Sequence, residues 1–352
     1  PQMPLLPYVY APAYKLFGSS LVDMRLPSVL FGALALLFWW LLLKRQWADR
    51  PWVVLAGLVL VAVNPYFLSW NVTVKTYALT NLGVFATLWA VDRGLAARRP
   101  WWFAAAGVCA GLVVDVRLLY LPWAGVTALT VGWLALRGME KGVRLGGMGA
   151  CLGGLVAGLA PSILFFLKDA EFFLFNNLRY HQLRFSHLEK TGGTLGDQVA
   201  LAFQALGKAL FLNPFMFFQM VLVSYGVDWA WRHRDSRAWP LLVVSGVGAL
   251  VHTAACLFPD PVYELYFTGP LTPLLAPLAV AGLVNLMDLL KRRRPVLAAV
   301  LVLACILSAV DLQGRKTGMD WKEVWSFEHL AKVTASIEKH TAPDDMVPVS
   351  YT

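Results

Sequence analysis

The chain has 352 residues, of which 58% are hydrophobic and 14% charged, and its mean hydropathy is +0.60. Soluble domains carry roughly twice that charged share, so the composition excludes an ordinary soluble protein and points to the membrane. The formal charge of +9 does not indicate nucleic acid, because Lys and Arg stand in short clusters between apolar runs, the pattern that sets membrane topology.

In chain order, residues 1–24 hold Pro4, Pro7 and Pro12 within an apolar, aromatic run too short to span a bilayer. That pattern reads as an outer segment lying in the interface. A membrane core over 25–311 follows. A bilayer needs about 20 apolar residues per helix, and a helix satisfies its own backbone where no water can. This rule predicts ten spans, at 26–43, 52–70, 77–91, 101–116, 118–136, 145–167, 209–231, 239–258, 265–290 and 295–311. The fold class is therefore an all-α polytopic membrane protein. The connections 44–51, 92–100, 137–144, 232–238 and 291–294 hold more than half of the 30 Lys and Arg and are expected on the cytoplasmic side. The long segments 1–24, 168–208 and 312–352 then lie outside, so function is expected to face outward. Within the last of them, Ser326–Lys339 reads as an amphipathic helix opening a soluble outer domain. Neither a start Met nor a first hydrophobic span precedes the ten, and Met346–Thr352 reads as the opening of a strand. The sequence is thus expected to be an interior piece of a longer chain.

The richest polar cluster lies in the 168–208 segment, where Arg179, His181, Arg184 and His187 stand beside the membrane. On a helix, His181, Arg184 and His187 share roughly one face. Arginine offers a fork of donors that matches phosphate oxygens, and histidine moves a proton or binds a metal. A basic loop touching lipid headgroups is the alternative. No Cys or closely spaced carboxylate completes a metal set with His181 and His187.

Other charges fall near the outer ends of spans: Arg25, Lys75, and Asp115 with Arg117. Charge at such depth is paired or functional as a rule. For Asp115 and Arg117 two readings stand, a local ion pair pinning the hairpin and a ligand-binding role; Lys75 either snorkels or binds. In the turn from Pro259 to Phe267, Tyr263 and Tyr266 belong to an interfacial aromatic belt or line a lipid groove. Each of Cys109, Cys151, Cys256 and Cys305 stands alone in an apolar stretch and reads as a small buried hydrophobe. There is no Walker A pattern, no GxGxxG after a strand and no HExxH.

Several runs together carry a resemblance: Pro4-Leu5-Leu6-Pro7-Tyr8, Lys15-Leu16-Phe17-Gly18, Arg25-Leu26-Pro27-Ser28, Lys75-Thr76-Tyr77, Gly111-Leu112 through Arg117, His181-Gln182-Leu183-Arg184-Phe185, and Tyr263 to Pro273. In order and spacing they resemble the bacterial glycosyltransferases related to protein O-mannosyltransferases and to the lipid A aminoarabinose transferase, which share the GT-C membrane fold. The resemblance implies transfer of a sugar from a polyprenyl-phosphate donor to a lipid, glycan or protein acceptor, at the outer face of a bacterial inner (plasma) membrane and with inversion. By the same resemblance His181, Arg184, Arg117, Lys75, Arg179 and Tyr266 are candidate substrate-binding residues. In those relatives the catalytic acid follows the first helix, a place ahead of Pro1, so no catalytic residue is assigned and the piece alone is expected to be inactive. Gln2 and Met3 stand where the aminoarabinose subgroup has Glu-Lys, its acid touching a metal. No metal ligand is therefore carried over, and a divalent ion is left open. The rival class is a transporter or flippase of a lipid-linked substrate, whose expected signs are matched broken helices and charges near mid-span. The sequence shows neither.

Overall fold

The computed structural model describes residues 5–17, 21–138, 141–179, 195–257, 265–291 and 293–318, and every regular element among them is helical. They are α1 (Leu5–Phe17), α2 (Leu21–Gln46), α3 (Pro51–Ala62), α4 (Pro65–Asn71), α5 (Thr76–Ala97) and α6 (Pro100–Val116). A 3-10 turn (Leu118–Tyr120) leads into α7 (Leu121–Gly138), α8 (Lys141–Gly158), α9 (Ala160–Lys168) and α10 (Ala170–Leu174), and a π-helical turn (Phe175–Arg179) ends that run. After a gap come α11 (Leu195–Gly207), a second π-helical turn (Lys208–Leu212), α12 (Pro214–Arg232), α13 (Trp239–Ala255), α14 (Leu265–Leu289) and α15 (Arg293–Gly318). The chain forms two compact units, Pro1–Ser308 and Ala309–Thr352; the described part of the second is helical to Gly318. The expected outer domain from 319 onward lies outside the described residues.

Each of the ten expected runs is largely helical, but they are not ten uninterrupted spans. Three described helices are long and apolar enough to cross a membrane, or up to six if each bent pair is one span. The bends are 61° between α3 and α4, 51° between α8 and α9, and 86° at the entry to α12. Each has a local cause. At the first, the Asn64 side chain accepts from the Tyr66 and Phe67 amides and Pro65 starts a new helix. Pro161 and Pro214 restart the chain at the other two. Broken helices, not expected from the sequence, are thus present. Apolar helices α6 and α13 have only 17 residues each.

Close packing holds the bundle. In α6 and α8, Gly107, Gly111, Gly154 and Gly158 interlock: a Cβ on Gly107 would run into the Cys151 carbonyl, and one on Gly154 into the Ala104 carbonyl. Small residues at this spacing let helix backbones touch, which matters in lipid because apolar burial drives little association there. Of the three long apolar helices, α14 is the most enclosed, with 94% of its apolar window buried. Its carbonyls receive side chains from neighbours, Ser245 on Leu274 O and Gln219 on Thr272 O.

Contacts divide the helix tips into two ends. At the end of the basic connections, Arg45 and Gln46 donate to Asp92, Arg50 to Asp288, and Arg232 to Asp228 and Asn285. Trp47 meets Trp229 there, edge to face. The other end gathers the tips of α4, α5, α6 and α13 with the starts of α9 and α14. Cysteines 151 and 256 are buried as expected, whereas Cys305 is exposed on α15.

Candidate functional site

Lys75 precedes α5 in extended backbone, its amide donating to Thr73 O at 2.8 Å. The lysine Nζ lies 5.5 Å from the centroid of the Trp70 ring at the tip of α4. Trp70 in turn packs on Tyr77, in the first turn of α5, with ring centroids 4.3 Å apart. Arg117 follows α6 in extended backbone, and its guanidinium carbon is 4.4 Å from the centroid of the Tyr77 ring. Two cations from separate segments are therefore held by one aromatic pair. Cation–π contact fixes such groups without neutralising them, in contrast to an ion pair.

Gly269 at the start of α14 makes room for this stack, since a Cβ there would meet the Tyr77 ring at 2.9 Å. Behind Arg117, Tyr120 in the 3-10 turn lies 4.6 Å from the His252 ring of α13, and His252 Nε2 is 3.3 Å from Cys256 Sγ. Burial opposes the Arg117 charge, while the neighbouring Tyr77 and Tyr120 phenols favour it; the balance leaves its pKa above the ordinary arginine value. Helix α1 adjoins the same tips. Tyr10 hydrogen-bonds Ser28 at 2.6 Å, Ser28 donates to Thr73 O at 2.9 Å, and Leu6 and Tyr10 pack with Val116.

Asp115 and Arg117 do not form the local ion pair read from their spacing. Asp115 turns into the protein, fully buried, and accepts from Ser162 of α9. Arg117 turns to Tyr77 instead, because its extended backbone points it out of the line of α6. Arg25 is exposed. Arg179 ends the first π-helical turn, exposed, 3.9 Å from Glu171. His181 and Arg184 lie outside the described residues, and Tyr266 is placed in the first turn of α14 by its backbone only. Of the six predicted binding residues, Lys75 and Arg117 are thus linked through one aromatic pair, each on its own ring. Among the described residues no group of three His, Cys, Asp or Glu is placed to hold a metal ion.

Sequence reasoning passed over Trp70, Tyr120, His252 and Ser162. For one of them a signal existed: His252 and Cys256 are four apart, on one face of α13. The others are joined only by folding.

Residues 1–165 match the family model described as dolichyl-phosphate-mannose-protein mannosyltransferase. Over that stretch, a little under half of the chain, the sequence is similar to this family of membrane glycosyltransferases. No curated protein and no solved structure matches the chain. The matched stretch contains Lys75, Asp115, Arg117 and Ser162, and ends before Arg179.

Proposed function

We propose that the protein transfers a sugar from a polyprenyl-phosphate donor to an acceptor hydroxyl at the outer face of a bacterial plasma membrane, with inversion. The observation that supports this most is that Lys75 and Arg117 are each held on a ring of the one Trp70–Tyr77 pair, inside the stretch that matches the family. As the acceptor oxygen bonds to the anomeric carbon, the bond from that carbon to the phosphate oxygen breaks from the opposite side. Its electron pair stays on the phosphate, and the acceptor proton passes to a carboxylate base. The phosphate gains charge in this step, so fixed cations stabilise the transition state more than the ground state. Arg117 and Lys75 take this role, with Arg179, His181, Arg184 and Tyr266 completing the headgroup site as the outer segments meet. The lipid tail stays in the bilayer, which is why such a transferase is built of membrane helices.

The bent helices favour a second reading, a flippase of the same lipid-linked sugar. One assay separates the two. Full-length protein in membranes, given a polyprenyl-phosphate donor with labelled sugar and a set of acceptors, is expected to form labelled product and to lose that activity in Arg117→Ala. Movement of labelled lipid across vesicles with no product, in wild type as well, would replace transferase by flippase. Orientation has its own test: a Cys in place of Arg234 should resist an impermeant thiol reagent in intact cells, and its modification would invert the assignment.

A further inference from the structure

Helix α9 is bent 51° from α8 and stands largely clear of the bundle. Ile163, Leu164, Phe166 and Leu167 are exposed, and the only buried residue of α9 is Ser162. Its hydroxyl donates to Asp115 Oδ1, the carboxylate being fully buried at the end of α6. The second oxygen, Oδ2, has no hydrogen-bond partner. A buried acceptor side chain with one oxygen left without a partner is costly, so a polar group at this position serves a purpose other than stability.

Its neighbours suggest the purpose. Two residues beyond Asp115 is Arg117, on the aromatic stack. Beyond Ser162, Phe165 and Phe166 pack on Phe172 and Phe173 of α10, with ring centroids 5.7–6.3 Å apart. That packing makes α9 and α10 one piece, which leads directly into Arg179. The Asp115–Ser162 hydrogen bond is thus the side-chain tie between the segment that carries Arg117 and the arm that carries Arg179.

We infer that Asp115 is a positioning residue: through Ser162 it fixes the α9–α10 arm, which carries Arg179, against the Arg117 side of the headgroup site. This rests on the transferase reading for what the site does, but not for the tie itself. The tie is a hydrogen bond and not a charge effect, since Ser162 brings no charge. Asparagine at 115 should therefore serve as well as aspartate, its amide oxygen accepting the same hydroxyl.

Two measurements on the full-length protein test this. In the first, nitroxide labels replace Leu164 on α9 and Leu129 on α7, both exposed, in a background with Cys109→Ala and Cys305→Ala, and the distance between them is measured in lipid nanodiscs. Wild type and Asp115→Asn should give one narrow distribution; Asp115→Leu should give a broad one, and Ser162→Ala, which leaves the backbone N–H of residue 162 beside the carboxylate, one that is broader than wild type but less so. A narrow distribution in Ser162→Ala overturns the proposal, and so does a broad one in Asp115→Asn. Ser162→Ala keeps the test usable if Asp115→Leu does not fold. In the second, Ser162→Ala should raise the donor KM by about tenfold at nearly unchanged kcat, and Asp115→Asn should restore neither loss nor gain but match wild type. An equal fall of kcat with no change in KM in Ser162→Ala would speak against positioning of the donor. If wild type transfers no sugar while the distances behave as expected, the tie stands and the transferase reading falls.

Discussion

Both ends of the bundle hold cations on ring faces, Lys44, Arg93 and Arg234 at the basic end and Lys75 and Arg117 at the other, but among the described residues the acid–base pairs are concentrated at the basic end. At the basic end, Asp92 is nearly buried and accepts from both Arg45 and Gln46, Asp288 accepts from Arg50, and Asp228, Arg232 and Asn285 satisfy one another. At the other end Lys75 and Arg117 lie on aromatic rings, Asp115 keeps an oxygen without a partner, and chain breaks are capped locally. Partnered charges fix helix tips, and ring faces hold cations in place without an opposite charge beside them.

Substitutions at the two ends should therefore differ in kind. The largest effect is expected for Asp92→Ala, which leaves Arg45 and Gln46 at a half-buried site with no acceptor. A loss of about 3 kcal/mol is expected from removing one partner of a buried pair. It should be seen as a lower unfolding temperature and less folded protein in membranes, with the rate per folded molecule unchanged. A normal unfolding temperature would mean that the basic end is not the clamp.

Arg117→Ala should do the reverse: about a hundredfold less sugar transfer, roughly 2.7 kcal/mol of transition-state stabilisation, at unchanged stability. Arg117→Lys retains charge but loses the planar fork and its stacking on Tyr77, and should lose about tenfold. Lys75→Ala is expected to lose about as much as Arg117→Lys, the ammonium acting as a point charge. If Arg117→Ala unfolds the protein as readily as Asp92→Ala, the contrast between the ends disappears.

How far the sequence carried this picture depended on the kind of signal. Apolar length marks helices because a bilayer demands it, so all ten runs are largely helical. The breaks at Asn64-Pro65, Pro161 and Asn213-Pro214 carried turn signals, but apolar residues on both sides bridged them into single spans. Apolarity also fails to separate a helix facing lipid from one facing protein, which is why Cys305, in an apolar run, is exposed and not buried. In the site, Lys75 and Arg117 were legible because charge near a span is rare and both stand in motifs of the resemblance. The Trp70–Tyr77 pair that joins them was not legible, because it depends on the bend that turns α4 toward the start of α5. The tie between Asp115 and Ser162 spans 47 residues and two elements. Nothing in either neighbourhood foretells it, and the adjacent Arg117 offered a simpler partner that the backbone then withheld.

The smallest expected effect sharpens the contrast by asking which charges at the basic end matter. Arg50 donates to Asp288 at 3.1 Å, joining the chain before α3 to the end of α14, but the side chains are 29% and 40% exposed. Water and salt screen such a pair, and ordering two long side chains offsets part of the attraction. Arg50→Ala should therefore cost no more than about 0.5 kcal/mol, in contrast to Asp92→Ala. Unfolding in detergent at low and at high salt measures this. The Arg50 variant should differ from wild type slightly at low salt and not at all at high salt, whereas the Asp92 deficit should persist at both, because a nearly buried carboxylate is poorly screened. A large, salt-insensitive loss in Arg50→Ala would place the clamp in the connection before α3, and the buried Asp92 cluster would then be one contact among several.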